Sequence, residues 1–253
     1  MSALHRGSGT RSRSWTRVSS AALLAVALAA GGTAYAGDDI ETLTARQIAE
    51  KAREALIGAE SVHITSKGDL REPGSPNELD LALDRSGNCA GTVSMGDEGS
   101  VEIIKRGETV WMKPDAAFWK NQVPGGGDTV KEIVGDRYLR GTTDNGLLRG
   151  MTEVCDLDTF VDRLTGVPTS DVDLTKGKKT EVDGVDAIPL SGNLAGRTIT
   201  LYVATEGEPY PVRLVVTSAG AAKATVDFSD YDEPVPTATP PADESVDLST
   251  LLG

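Results

Sequence analysis

The sequence predicts an α+β fold: a curved antiparallel sheet, a half-barrel of about ten strands, covered by an N-terminal helix and a helical insert. Three observations lead there. Residues 45–59 carry apolar side chains at helical spacing. Two blocks, 62–112 and 178–229, alternate apolar and polar residues with a period of two. Between them the pattern changes to short helical stretches.

The helix opens at Thr44, with Gln47 three residues on as the other half of a capping box, and Gly58 marks its stop. Ala45, Ile48, Ala49, Ala52, Leu56 and Ala59 form one narrow face of small and aliphatic side chains, so the helix should act as a lid or plug on an apolar surface. Strand signals follow at Val62 and Ile64, then at Leu79, Leu81 and Leu83 between Asp80, Ala82 and Asp84. Val93 and Met95, Val101 and Ile103, and Val110 and Met112 continue the series, with turns at 86–88 and 106–107. The middle reads as helices at 115–121, 128–134, 145–154 and 157–164, broken by glycines 125–127. Strands resume at 178–182, 185–191, 197–205, 211–218 and 224–229, and Asp183-Gly184 is the strongest hairpin signal among them. Pro234, Pro236, Pro240 and Pro241 predict an extended C-terminal tail over 234–253 that forms no further paired strand.

Composition limits the partners. The 38 acidic residues against 25 basic ones speak against binding to nucleic acid or to anionic membrane surfaces. Arg6, Arg11, Arg13 and Arg17 precede an apolar run at 21–30 and the small-x-small pattern Ala34-Tyr35-Ala36, which reads as a signal peptide over 1–36. The alternative is an uncleaved anchor, although the run falls short of the roughly 20 residues a spanning helix needs. Either way the remainder is expected outside the cytoplasm, extracellular or in the cell envelope, with membrane contact transient or through that anchor. Cleavage removes four Arg and no acid, leaving 21 basic and 38 acidic groups, a charge of −17. In an oxidising compartment Cys89 and Cys155 read as a disulfide, with a reactive thiol as the alternative.

Little points to catalysis, so the expectation is a protein that is not an enzyme. His63 is the one histidine after residue 36, and there is no Gly-x-Ser-x-Gly. The alternation places His63 opposite Val62 and Ile64, at a surface or in a strand pair. Asp171-Val-Asp173 resembles the start of a calcium loop, but Gly177 falls at position 7 and Val182 at position 12, which that loop chemistry does not allow. Asp227, Asp230, Asp232 and Glu233 read as a solvated acidic edge. No cofactor and no metal site are expected.

The segment Leu201-Tyr-Val-Ala-Thr-Glu-Gly-Glu-Pro-Tyr-Pro-Val-Arg-Leu214 is followed by Val226-Asp-Phe-Ser-Asp-Tyr-Asp-Glu-Pro-Val235 and Pro240-Pro-Ala-Asp243. Together they resemble the C-terminal half of actinobacterial envelope lipoproteins of the LppX/LprG type, within the wider class with the lipoprotein-carrier (LolA/LolB-like) fold. The resemblance in motif covers roughly 196–253. It implies a half-barrel domain over 37–233 with an apolar hollow that accepts acyl chains. The expected ligand is a lipid or another acylated apolar molecule, and the expected role is non-enzymatic binding, extending to lipid or lipoprotein transport. The hollow should be lined by Leu79, Leu81, Leu83, Val101, Ile103, Ile199, Leu201, Val203, Val212, Leu214 and Val216. A packed core at those positions is the bland alternative, although only nine aromatics follow residue 36 to fill it. One departure is plain: the region Ala29-Ala-Gly-Gly-Thr-Ala-Tyr-Ala-Gly37 has no Cys to receive a lipid anchor. The competing functional reading is an envelope sensor or interaction module of the same fold, with other envelope proteins as partners and no ligand.

Overall fold

The computed structural model describes residues 39–68, 77–122, 125, 127–166, 169–218, 223–236 and 238–251. The leader expected over 1–36, its alternative as an anchor, and Gly126 of the glycine-rich break lie outside them. Among the described residues no helix is long and apolar enough to cross a membrane.

Helix α1 (Ala45–Gly58) begins at the expected capping box: the Gln47 N–H donates to Thr44 Oγ1 at 3.3 Å, and the Thr44 N–H donates to Gln47 Oε1 at 3.0 Å. It buries Ile48, Ala49, Ala52 and Leu56. Five strands then run as an antiparallel meander: β1 (Ser61–Lys67), β2 (Glu78–Asp84), β3 (Cys89–Ser94), β4 (Ser100–Arg106) and β5 (Thr109–Pro114). Their inward positions are the alternating ones, Val62, Ile64, Leu81, Leu83, Val93, Val101, Ile103, Val110 and Met112, all buried. The insert follows as α2 (Ala116–Gln122), α3 (Gly127–Val134), α4 (Gly146–Thr152) and α5 (Leu157–Thr165). A sixth strand, β6 (Tyr138–Thr142), interrupts it where only helices were expected. The second block supplies β7 (Thr175–Lys176), β8 (Thr180–Val182), β9 (Val185–Leu194), β10 (Arg197–Ala204), β11 (Pro211–Ser218) and β12 (Lys223–Ser229). Asp183 and Gly184 turn from β8 to β9 with φ of 49° and 87°, the left-handed pair that a tight hairpin requires.

The strands join in one open, curved sheet of thirteen, ordered β13-β6-β5-β4-β3-β2-β1-β12-β11-β10-β9-β7, with β8 also on β9. The three strands beyond the expected ten, β6, β7 and β13 (Ser245–Asp247), have two to five residues each. β13 corrects the reading of the tail. Its residues pair in parallel with β6, and the four-residue helix α6 (Leu248–Leu251) follows directly. The prolines end at Pro241, so the N–H groups at 245–247 are free to donate to the uncovered edge of β6.

Pairing of β1 with β12 brings the two blocks side by side, and the buried side chains gather in two cores, the first of which also takes in Leu56 of α1 and Val226 and Phe228 of β12. In the first, the inward side chains of β1–β6 pack on Phe118 and Trp119 of α2, Val134 of α3, Leu148 of α4, and Leu157 and Val161 of α5. In the second, Ile40 joins Ile48, Ala49 and Ala52 of α1 against Ile188, Leu190 and Val203 of β9 and β10. A disulfide between Cys89 and Cys155 ties the start of β3 to the residue that precedes the Asp156 cap of α5.

Candidate functional site

The two cores do not meet everywhere. A cavity of about 290 Å3 lies at their seam, beneath the middle of α1. Its roof is Ala49, Ala52, Arg53 and Leu56 of α1. Its floor is Leu190 and Leu194 of β9, Ile199 and Leu201 of β10, Pro211 and Leu214 of β11, and Phe228 of β12. Arg163, Leu164 and Thr165 at the end of α5, with Thr169, Val172 and Leu174, form the side wall.

Local sequence explains why space is left here. Over the first core, aromatic and leucine side chains of the insert reach down into the sheet. Over the second, α1 presents Ala49 and Ala52, whose single methyl groups leave space beside Ile199, Leu201 and Leu214. The helix is fastened at both ends. Lys176 Nζ donates to the Glu41 and Leu43 carbonyls at 2.9 and 2.6 Å before its start. After its end Arg85 Nε donates to the Ala59 carbonyl at 2.7 Å, Arg85 pairs with Asp158 of α5, and the Glu60 N–H donates to Asp232 at 2.7 Å. The side wall depends on Gly192 of β9, because a Cβ there would lie 2.6 Å from Val172 Cγ1 and 3.2 Å from Leu174 Cδ2. Only glycine lets that segment close against the strand.

The polar groups gather at one rim. Arg53 Nε donates to the Thr165 carbonyl at 3.4 Å, and the Thr169 hydroxyl donates to Glu50 of α1. Such an arrangement has room for an apolar group and offers it almost no hydrogen bonds inside.

Of the eleven residues expected to line a hollow, the cavity brings together Ile199, Leu201 and Leu214. Leu81, Leu83, Val101 and Ile103 lie in the first core, at most 2% exposed, with Leu79 packed on its margin. Val203 is buried in the second core. Val216 pairs with Ile199 across the ladder but stands outside the lining, half-buried. Val212 sits where the β10–β11 register shifts, with Tyr202 opposite Arg213 and Val203 opposite Pro211. This bulge puts Pro211 into the cavity wall in its place. Ala49, Ala52 and Leu56 carried a signal in the helical period of α1. Leu190, Leu194 and Phe228 carried only an inward strand position, and the wall at 163–174 carried none.

The other chemistry-bearing residues lie outside the cavity lining. His63 bridges strands, with Nε2 2.7 Å from Asp80 Oδ1 and Nδ1 3.3 Å from both Asp230 Oδ2 and Ser229 Oγ. Most of the expected acidic edge is engaged by donors: Asp227 pairs with Arg213, Asp230 faces His63, and Asp232 accepts from the Tyr210 hydroxyl at 2.7 Å and from the Glu60 N–H. Burial and then the hydrogen bond to Asp232 push the Tyr210 hydroxyl above its ordinary range, so it stays protonated. Among the described residues no group of three or more His, Cys, Asp or Glu could hold a metal ion.

No protein-family model matches the sequence, and no curated protein matches it. Solved structures do. The chain is similar to the lipoprotein LppX from Mycobacterium tuberculosis at 16% identity and a TM-score of 0.52, covering 77% of this chain and 98% of that one. It is also similar to LprF from Mycobacterium bovis at 17% identity and a TM-score of 0.54, covering 78% of this chain and 96% of that one. At such identity the likeness shows the fold, and the fold is LppX-like.

Proposed function

We propose that this chain, built on the LppX-like fold, is an exported protein that holds the hydrocarbon part of a lipid in the seam cavity and catalyses no reaction. After removal of a leader at 1–36 the domain would extend from 37 past 233 through β13, which pairs with β6, and Leu248, which is buried in the first core. The cavity wall of Ile199, Leu201, Leu214 and their neighbours would contact the chain. One observation carries the reading: an apolar space of about 290 Å3 persists under a helix fixed at both ends, where small side chains fail to fill it. A methylene takes up about as much room as a water molecule in the liquid, roughly 30 Å3, so the space suits about ten of them. Burying that many contributes at most about 8 kcal/mol at about 0.8 kcal/mol each, before the cost of immobilising the chain. The same fold occurs in LprF and in the lipoprotein LppX, which supports the exported part of the reading.

The test is direct. Protein secreted from a mycobacterial host should carry an alkyl-chain compound that native mass spectrometry shows as added mass and that organic solvent removes. Protein that arrives empty, and stays empty when offered lipid extract, would favour an interaction module instead.

A further inference from the structure

The lining of the cavity is unlike the rest of the chain in its charge. Acidic residues outnumber basic ones 38 to 25 overall, yet the cavity walls include two arginines and no Asp or Glu. Arg53 comes from α1, one turn before Leu56, and Arg163 from the last turn of α5. They therefore reach the same opening from two different elements. Among the described residues neither is ion-paired with a carboxylate, whereas Arg85, Arg140 and Arg213 all are. The carboxylate of Glu50, one turn back from Arg53, is engaged by the Thr169 hydroxyl. Both arginines are exposed and border the alkyl wall, with Arg53 Nε on the Thr165 carbonyl.

We infer that the site takes a single-chain amphiphile with an anionic head, carboxylate or phosphate, whose charge is clamped by Arg53 and Arg163 while its chain fills the cavity. This rests on the proposed function and names the class of ligand. A guanidinium presents several N–H donors in a plane and matches either oxyanion with charge-assisted hydrogen bonds. A cationic head would be repelled by both groups, and a neutral alcohol would gain little from them. The size of the cavity suits one short chain, not two.

Titration calorimetry at low salt, where exposed charges are least screened, separates head from chain. The probes are dodecanoate, dodecyl phosphate, dodecanol and inorganic phosphate. Both anionic amphiphiles should bind at least about tenfold tighter than dodecanol, as expected for two charge-assisted contacts at an exposed rim. Inorganic phosphate alone should show no saturable binding. In the Arg53→Gln/Arg163→Gln double variant the anionic preference, taken as the ratio of anion to dodecanol affinity, should fall to about twofold or less. Arg53→Gln also removes the hydrogen bond to Thr165, so dodecanol binding and the thermal midpoint report whether the fold is intact, and Arg163→Gln alone should already lose part of the preference. Equal affinity for dodecanol and the two anions, an anionic preference that survives the double variant, or inorganic phosphate binding as tightly as dodecyl phosphate would overturn the head-group assignment and leave the chain-holding reading standing. Failure of every alkyl probe would overturn both.

Discussion

Leu201→Trp is expected to weaken binding of dodecanoate by at least about tenfold without lowering stability. Leu201 is half-buried, stands between Leu190 and Leu214 across the ladder, and faces the cavity from the centre of β10. An indole there would project into the space the alkyl chain needs. Strands accept tryptophan readily, and an unfilled cavity costs about 24 cal/mol per Å3, so occupying part of it should leave stability unchanged or raise it by about 1 kcal/mol. The same change at Ile103, which is 0% exposed in the first core, should instead destabilise by about 1–3 kcal/mol, because no room exists there. Chemical denaturation of the two variants side by side distinguishes a cavity from a packed interior. If Leu201→Trp is as destabilising as Ile103→Trp, the space under α1 is not available to a guest.

Removing the disulfide as Cys89→Ala/Cys155→Ala is expected to cost about 4 kcal/mol of stability, read from the urea midpoint. The bond closes a loop with a sequence separation of 66, which in the chain-entropy model gives that size of effect. Alanine is the suitable replacement, since both sulfurs are buried and a serine hydroxyl would add its own desolvation cost. The consequence extends to the site. The bond fixes the N-terminus of α5, whose other end supplies Arg163, Leu164 and Thr165 to the cavity wall. Alkyl-chain binding should therefore weaken in the variant even at temperatures where the sheet remains folded. A loss under about 1 kcal/mol would mean that the insert is held by packing alone.

Local rules made most of the scaffold legible. The capping box at Thr44 and Gln47, the alternation through Leu79, Leu81 and Leu83, and the Asp183-Gly184 turn each depend on a few neighbouring residues, and each appears where expected. The strands that escaped notice are short and owe their existence to a partner. β6 reads Tyr-Leu-Arg-Gly-Thr, with no apolar alternation of its own, and is a strand because β5 offers an edge. β13 needs β6 in turn.

The site was legible only in part, for a different reason. A period of two says which strand residues face inward, but not what covers them. Val101 and Leu201 look alike in sequence; one meets the aromatic-rich insert and the other the alanine face of α1, and that pairing is tertiary. Val212 stands outside the cavity lining, where a bulge shifts the register and Pro211 enters the wall. The motif that resembles envelope lipoproteins turned out to form a joint: Tyr210 stacks on Tyr231 at 3.9 Å, the Tyr231 hydroxyl donates to the Pro211 carbonyl at 2.9 Å, and Arg213 pairs with Asp227. These residues hold β11 and β12 under the cavity, and Leu201, Pro211, Leu214 and Phe228 of the same motif form part of its floor.

A crystal structure of the protein grown with a dodecanoate brominated at its terminal carbon tests the account most directly. The account predicts an anomalous bromine peak among Leu56, Leu201 and Phe228, with the carboxylate at Arg53 and Arg163. A fully occupied bromine site elsewhere on the molecule, with the seam beneath α1 closed by side chains, would contradict it.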